Sequence, residues 1–338
     1  MKGERRPEKI FNLRSPLLRP FTQMTARSMN YETLLQEVAL ADERLVVMTA
    51  ENRALIRNLP PILQGRFIDT GITEQTMVGA AAGLALRGRI PVVHALAAFL
   101  TLRAFEFIRT DVGLAKLSVK LSSFVPGFLS DGNGPTHQAI EDVALMRGIP
   151  GMQVFAPADE EDMLLALPHV WQSPHPSYVR INTRKATYQH NPHFQIGKAE
   201  VVSTGSPDGH PDVTLLVYGM LFEQALVAKE ALEKEGKSVA LVNLRSLKPV
   251  DEAVLLTAAR NSALVVTIED HFLTGGLYSI LAEVLLQHRT TANVFPIALN
   301  ERWYQPGLLS EVLTHEGFTG PQLADRVLKE LAEVEVGG

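Results

Sequence analysis

Glu74 is the side chain in this sequence best placed for proton chemistry. It ends a short polar turn and opens a helix built from Gly and Ala, in the stretch DTGITEQTMVGAAAGLALRG, residues 69–88. Small residues recur there at helical spacing, with Gly79, Ala80 and Gly83 on one side and Ala81, Ala82 and Ala85 on the other. A neighbouring element can then approach almost to backbone contact. A glutamate at the mouth of such a closely packed helix is expected to be partly buried. Burial disfavours its ionised form, and the positive end of the helix dipole favours it. A carboxyl balanced in this way can exchange a proton with a bound ligand. The same segment also fits a first-turn glutamate that only caps its helix.

The elements that must hold this group are legible further along the chain. Short β-branched runs predict strands over 44–48, 90–93, 117–121, 152–155 and 177–181. A second series is expected over 213–218, 238–243, 263–268 and 294–299. Amphipathic helices, FEQALVAKEALEKEGK, DEAVLLTAAR and GGLYSILAEVLLQH, separate the later strands. Strand–helix alternation implies parallel or mixed sheets covered by helices on both faces, a three-layer α/β architecture. A polar stretch rich in His, Pro, Gly and Ser, residues 185–212, separates two such domains. Their expected spans are 31–190 and 213–338, with a linker over 191–212 and an N-terminal extension over 1–30.

Composition narrows the function classes. A chain of 338 residues, 46% hydrophobic, is long enough for two substantial cores. Lys and Arg number 32 against 37 Asp and Glu, a net charge of −5, which argues against nucleic acid or an anionic membrane as partner. The absence of cysteine excludes disulfides, thiolate catalysis and Cys-ligated metal, and is compatible with a reducing cytoplasm. The first residues, MKGERRPEKIFNLRSP, lack the apolar core of a secretory signal, and no segment has the apolar length of a membrane span. A soluble, cytoplasmic protein is expected.

GITEQTMVGAAAGLALRG, SDGNGPTHQAIEDVALMRGIPGMQVFAPADEED and YVRINTR, in that order, resemble the C-terminal half of transketolases. The similarity is closest to the half-length subunits of split transketolases. NLRSLKPVDEAVL and IEDHFLTGGLYSILAEVL are similar to the C-terminal domain of that family and of deoxyxylulose-phosphate synthases. The resemblance implies a pyrimidine-binding domain for thiamine diphosphate followed by a transketolase C-terminal domain. The cofactor reacts at its thiazolium C2, deprotonated by its own aminopyrimidine in the imino form. By resemblance, Glu74 is the carboxylate that drives this tautomer from the pyrimidine ring nitrogen.

The resemblance also assigns the surrounding residues. In HALAAFLTLRAFEFIRTDV, Phe99, Leu102 and Phe105 recur every three residues. Judged on spacing alone, such a stripe is plain core. By resemblance it walls the pyrimidine pocket, with Leu102 where full-length transketolases have an aromatic. SDGNGPTHQ is a turn-rich loop after a strand, a usual place for a site in an open sheet. His137 in this loop matches a histidine that faces substrate beside the reactive carbon, able to stabilise an alkoxide or move a proton. Asn133 stands where transketolases carry a hydroxyl-reading Asp, and Val125 where many carry a phosphate-contacting His. Arg184 matches a phosphate-binding arginine, while Arg180 fits a salt bridge at a domain seam equally well.

One family feature is missing. The Gly-Asp-Gly segment that holds Mg²⁺ and the diphosphate does not occur, nor does a Walker-type loop. The chain is therefore expected to act with a partner resembling the N-terminal half of transketolase, which supplies most of the Mg²⁺ ligands, in an α2β2 complex with sites between unlike subunits. The expected reaction moves a two-carbon ketol unit from a ketose to an aldose. Two alternatives are a β subunit of a 2-oxo acid dehydrogenase E1 and a non-catalytic subunit that retains the fold.

Overall fold

The structure, a computed structural model, describes residues 29–337. Residues 1–28 of the expected N-terminal extension lie outside them. Among the described residues, twelve strands form two sheets. They are β1 (Leu45–Thr49), β2 (Phe67–Asp69), β3 (Ile90–Leu96), β4 (Lys120–Phe124), β5 (Gln153–Phe155), β6 (Ser177–Arg180), β7 (Glu200–Thr204), β8 (Val213–Val217), β9 (Val239–Asn243), β10 (Ser246–Lys248), β11 (Leu264–Phe272) and β12 (Val294–Leu299). The first sheet has the order β10-β5-β6-β4-β3-β1-β2 and the second β12-β11-β8-β9-β7. Neighbours are parallel except β10 on β5 and β7 on β9. Both sheets are mixed and covered by helices on both faces, the expected α/β architecture.

Alternation along the strands fills both faces at once. In β1, Leu45 and Val47 point into a core shared with helices Tyr31–Ala41 and Glu160–Gln172. Val46 and Met48 point into the opposite core, against Met77 and Ala81 of helix Glu74–Leu86. The same period of two in β8 sends Leu215 and Leu216 to opposite faces. The core holding Met48 continues into the second sheet through Tyr218, Leu255 and Leu277, so the two domains share apolar interior.

Three strands escape the sequence pattern. β2 and β10 are three residues each and lie at sheet edges. β7 lies within the 191–212 stretch expected to be a linker and forms the edge of the second sheet, so part of that stretch is sheet. Short polar edge strands carry little periodicity, and their pairing is decided by tertiary contacts. β10 is also the one strand beyond β7 that joins the first sheet, tying the second half of the chain to the first. The strand expected over 117–121 is found at Lys120–Phe124, and it opens on a buried lysine. The Lys120 ammonium donates to the carbonyls of Ser173 and His175, both at 2.6 Å. Burial brings its pKa down to about 7.

Two buried charge clusters hold the seam between domains. Arg180 binds Asp142 of the first domain at 3.1 Å and Asp270 of the second at 2.7 Å. Gly127, at φ 57°, makes room for it, since a Cβ there would meet Asp270 and Arg180. The second cluster joins Asp159, Asp162, His190, Glu200, Asn243 and Arg245. Arg245 reaches Asp162 at 2.7 Å and Glu200 at 3.1 Å, supplying the positive charge that these carboxylates would otherwise draw from a cation. His190 bridges Asp159 at 2.8 Å and Glu200 at 2.7 Å.

Burial alone would lower the His190 pKa, but its hydrogen bonds to Asp159 and Glu200 outweigh this and push it up to about 10. A pKa raised on folding stabilises below the unfolded value, about 6.5, and the benefit is lost as pH rises through the folded value. We predict that melting temperature falls between pH 7 and pH 10, and falls less in His190→Gln. Scanning calorimetry across that range checks it, and parallel profiles for the two proteins would contradict it.

Candidate active site

The candidate residues gather where parallel strands of the first sheet end. Asn52 follows β1, Glu74 follows β2, Phe99 and Leu102 follow β3, Val125 and His137 follow β4, and Arg184 follows β6. Parallel strands deliver their carboxyl ends to one side of a sheet, which brings residues far apart in sequence to a common rim.

Asp69 organises the turn before Glu74. Its carboxylate accepts from the amides of Glu51 and Gly71 at 3.0 and 2.9 Å, and from Arg53 Nε at 2.6 Å. Burial would raise its pKa, yet these bonds hold it below the usual carboxylate range. Thr73 Oγ1 closes the turn by donating to the Thr70 carbonyl at 2.9 Å. Glu74 then starts the helix with only 2% of its surface exposed. Its carboxylate accepts from Arg103 Nη1 at 2.8 Å and bonds none of the helix's own amides. The capping alternative therefore does not describe this residue.

The guanidinium of Arg103 also lies over the Phe99 ring, 4.2 Å from its centroid. Phe99 in turn meets the His137 ring edge-on, with centroids 4.9 Å apart. Glu74, Arg103, Phe99 and His137 thus form one continuous cluster. Backbone amides of His137 and Gln138 both bond the Gly134 carbonyl, folding the GPTHQ loop tightly. Gly134 has φ 72°, and a Cβ there would press to 3.2 Å from Pro306. Thr136 Oγ1 engages His137 Nδ1 at 2.9 Å, which leaves Nε2 as the nitrogen for a ligand. Gln138 is buried, and neither polar atom of its side chain has a partner among the described residues.

The stripe of Phe99, Leu102 and Phe105 requires a correction. This segment is not one α-helix. It runs through π-helical turns at Phe99–Arg103 and Ile108–Gly113, around a short helix Phe105–Phe107. A π turn is wider than an α turn, so residues three apart no longer share a face. Phe99 packs on Ala97, Ala98 and Ala139, whereas Phe105 packs on the main core of the first domain. Leu102 is 43% exposed.

A cavity of about 410 Å³ opens at the same end of the first sheet, lined by Asn52, Leu96, Val125, Leu129, Asn182 and Arg184 among others. Val125 adopts φ 45°, unusual for a β-branched residue. The structure thus joins Val125 to Arg184, while Asn133 is exposed and outside the lining. Arg184 pairs with Glu223 of the second domain at 2.8 Å. Arg180, buried between Asp142 and Asp270, is the seam residue. Sequence reasoning missed Arg103 and Glu223, whose partners lie 29 and 39 residues away in sequence.

Comparison with known proteins bears on this arrangement directly. Residues 23–189 match the transketolase pyrimidine binding domain, and residues 197–323 match the transketolase C-terminal domain. A 6-deoxy-6-sulfo-D-fructose transketolase subunit SqwH from Clostridium sp. (strain MSTE9) is 37% identical over 259 residues, 75% of this chain and 79% of the relative. The chain belongs to the transketolase family. A putative transketolase C-terminal section from Methanocaldococcus jannaschii is 32% identical, covering 89% of this chain and 94% of the relative. Among transketolase structures, a split gene transketolase, described as an inactive beta4 tetramer, superposes with TM-score 0.80 at 33% identity, covering 89% of this chain and 97% of that one. Deoxyxylulose-phosphate synthases are also related: that of Dictyoglomus thermophilum is 34% identical over 80% of this chain, which spans 43% of its length.

The separation of the stripe predicts unequal roles. Phe105→Ala should cost about 2 kcal/mol of stability, below the range for a fully buried phenylalanine, while Leu102→Ala should stay within about 0.5 kcal/mol. Urea denaturation of both variants checks this, and equal losses would restore a single packed face.

Proposed function

We propose that this chain is the C-terminal-half subunit of a two-chain, thiamine-diphosphate-dependent transketolase that transfers a two-carbon ketol unit between sugars. The observation that carries the reading is the buried Glu74, linked through Arg103 to the Phe99 ring and, beyond it, the His137 imidazole. A carboxylate acceptor next to an aromatic face suits an aminopyrimidine ring, so the residues present fit the pyrimidine end of the cofactor. When bound, thiamine diphosphate supplies the carbon that attacks the ketose carbonyl and the electron sink for the cleavage.

This chain's own residues have distinct tasks. Glu74 holds a proton at the pyrimidine ring nitrogen. Phe99 orients the ring by stacking. His137 Nε2 faces the sugar oxygens and stabilises or moves a proton there. Arg103 occupies one carboxylate oxygen of Glu74, and the other is the acceptor for the pyrimidine. The 410 Å³ cavity at the same end of the first sheet receives the far end of the sugar. The Clostridium relative is named for a sulfonated fructose, and a sugar whose end group is not a phosphate suits a cavity with Val125 and one arginine.

The Mg²⁺ and diphosphate fall to an N-terminal-half partner carrying Gly-Asp-Gly, in an α2β2 assembly. Exposed apolar residues support such a surface. Ala80 and Gly83 lie open on the Glu74 helix, nothing approaches a Cβ at Gly83, and Leu86 and Leu114 are 71% and 83% exposed. We predict that the isolated chain binds the cofactor weakly and turns over no ketose, and that adding the partner restores both. Calorimetry with cofactor and Mg²⁺, paired with a ketol-transfer assay, is the test. Micromolar binding and turnover by the chain alone would overturn the two-chain reading.

A further inference from the structure

Among the described residues lining the 410 Å³ cavity, Arg184 is the one cationic side chain, and it is not free. Its Nη2 donates to Glu223 Oε2 at 2.8 Å. Glu223 reaches across from the first turn of helix Phe222–Lys234, in the second domain. Both side chains keep about a third of their surface exposed, 39% and 34%; Arg184 lines the cavity, and Glu223 bears on it through that arginine. Backbone contacts hold the arginine in place: its amide donates to Asn182 Oδ1 at 3.1 Å, and its carbonyl accepts from the Glu160 amide at 2.9 Å. Most of the remaining wall is apolar, with Leu55, Leu96, Phe124, Leu129 and Ile181. An end group lodged there faces a guanidinium whose charge is already offset by a carboxylate.

We propose that Glu223 is a specificity-determining residue, which disfavours a phosphate dianion in this cavity and tunes it to a sugar with a singly charged end group such as a sulfonate. The inference rests on the reading above that the cavity receives the far end of the sugar. A phosphate monoester carries nearly two charges at neutral pH. One of them is met by Arg184, and the second lies against the Glu223 carboxylate without a cation of its own. A sulfonate offers three acceptor oxygens with a single charge, so it bonds the guanidinium with less repulsion. Discrimination of this kind works by placing an unfavourable group against the wrong ligand.

The test uses the assembled two-chain enzyme with a phosphorylated sugar and its sulfonated analogue, and measures inhibition by inorganic phosphate and by methanesulfonate. Glu223→Gln keeps the shape and removes the charge. It should raise kcat/KM for the phosphorylated sugar about tenfold through KM, and tighten phosphate inhibition by a similar factor. The sulfonated analogue should change less than about threefold. Glu223→Ala should shift the ratio in the same direction, and the gain should vanish in a Glu223→Gln, Arg184→Gln double variant. If Arg184→Gln weakens both substrates while Glu223→Gln leaves their ratio unchanged, the role of Glu223 is overturned and the cavity assignment stands. If neither substitution alters any KM or inhibition constant, the cavity assignment falls as well.

Discussion

Arg180 sits fully enclosed between the two domains, and most of the site depends on where its guanidinium is held. A buried guanidinium is tolerated only when carboxylates and hydrogen bonds replace its water, and removing one partner of such a pair typically costs about 3–5 kcal/mol. Asp142 and Asp270 supply those partners from opposite sides of the seam. Asp270 also accepts from the Phe128 amide at 3.3 Å, which fixes the start of the loop that leads to His137. Its neighbours in β11 extend the clamp. Glu269 accepts from the amides of Leu277 and Tyr278, and His271 accepts from the Ala144 amide at 3.2 Å. The IEDH run therefore does structural work: three consecutive buried polar groups bind a helix start, an arginine and a helix of the other domain.

That constraint explains why a site can be assembled from loops. The strands of the first sheet end on one side, and the seam stops their loops from drifting relative to the second domain. Glu223 can meet Arg184, and Pro306 can press on Gly134, only because the two domains share a continuous core. The chemistry then follows from environment. Glu74 has lost its water and has one guanidinium partner, and Phe99 offers a flat face to that guanidinium.

Much of this was legible in the sequence, for physical reasons. β1, β3, β8 and β12 are β-branched runs buried on both faces or strongly hydrophobic, and such runs announce themselves. β11 extends past its expected end because Glu269, Asp270 and His271 continue the strand as buried polar side chains, which periodicity reads as loop. The small-residue helix around Glu74 announced a buried carboxyl, as found, whereas His137 was singled out only by the resemblance of its loop. The Phe99 stripe misled because π turns leave no mark in a three-residue spacing. Arg103 and Glu223 were invisible because an arginine on a polar helix face, or a glutamate in a first turn, has no local signature. Their meaning lies in a partner brought close by the fold.

The central claim is that Glu74 acts on the aminopyrimidine, and proton–deuterium exchange at the cofactor's thiazolium C2 reads this step alone. The comparison is between the assembled wild-type complex and Glu74→Gln, followed by NMR, with calorimetry confirming that both bind the cofactor. Loss of the carboxylate should slow exchange by at least about a hundredfold, the scale of a positioned acid–base group. An exchange rate unchanged in the bound variant would remove Glu74 from the mechanism and contradict the account.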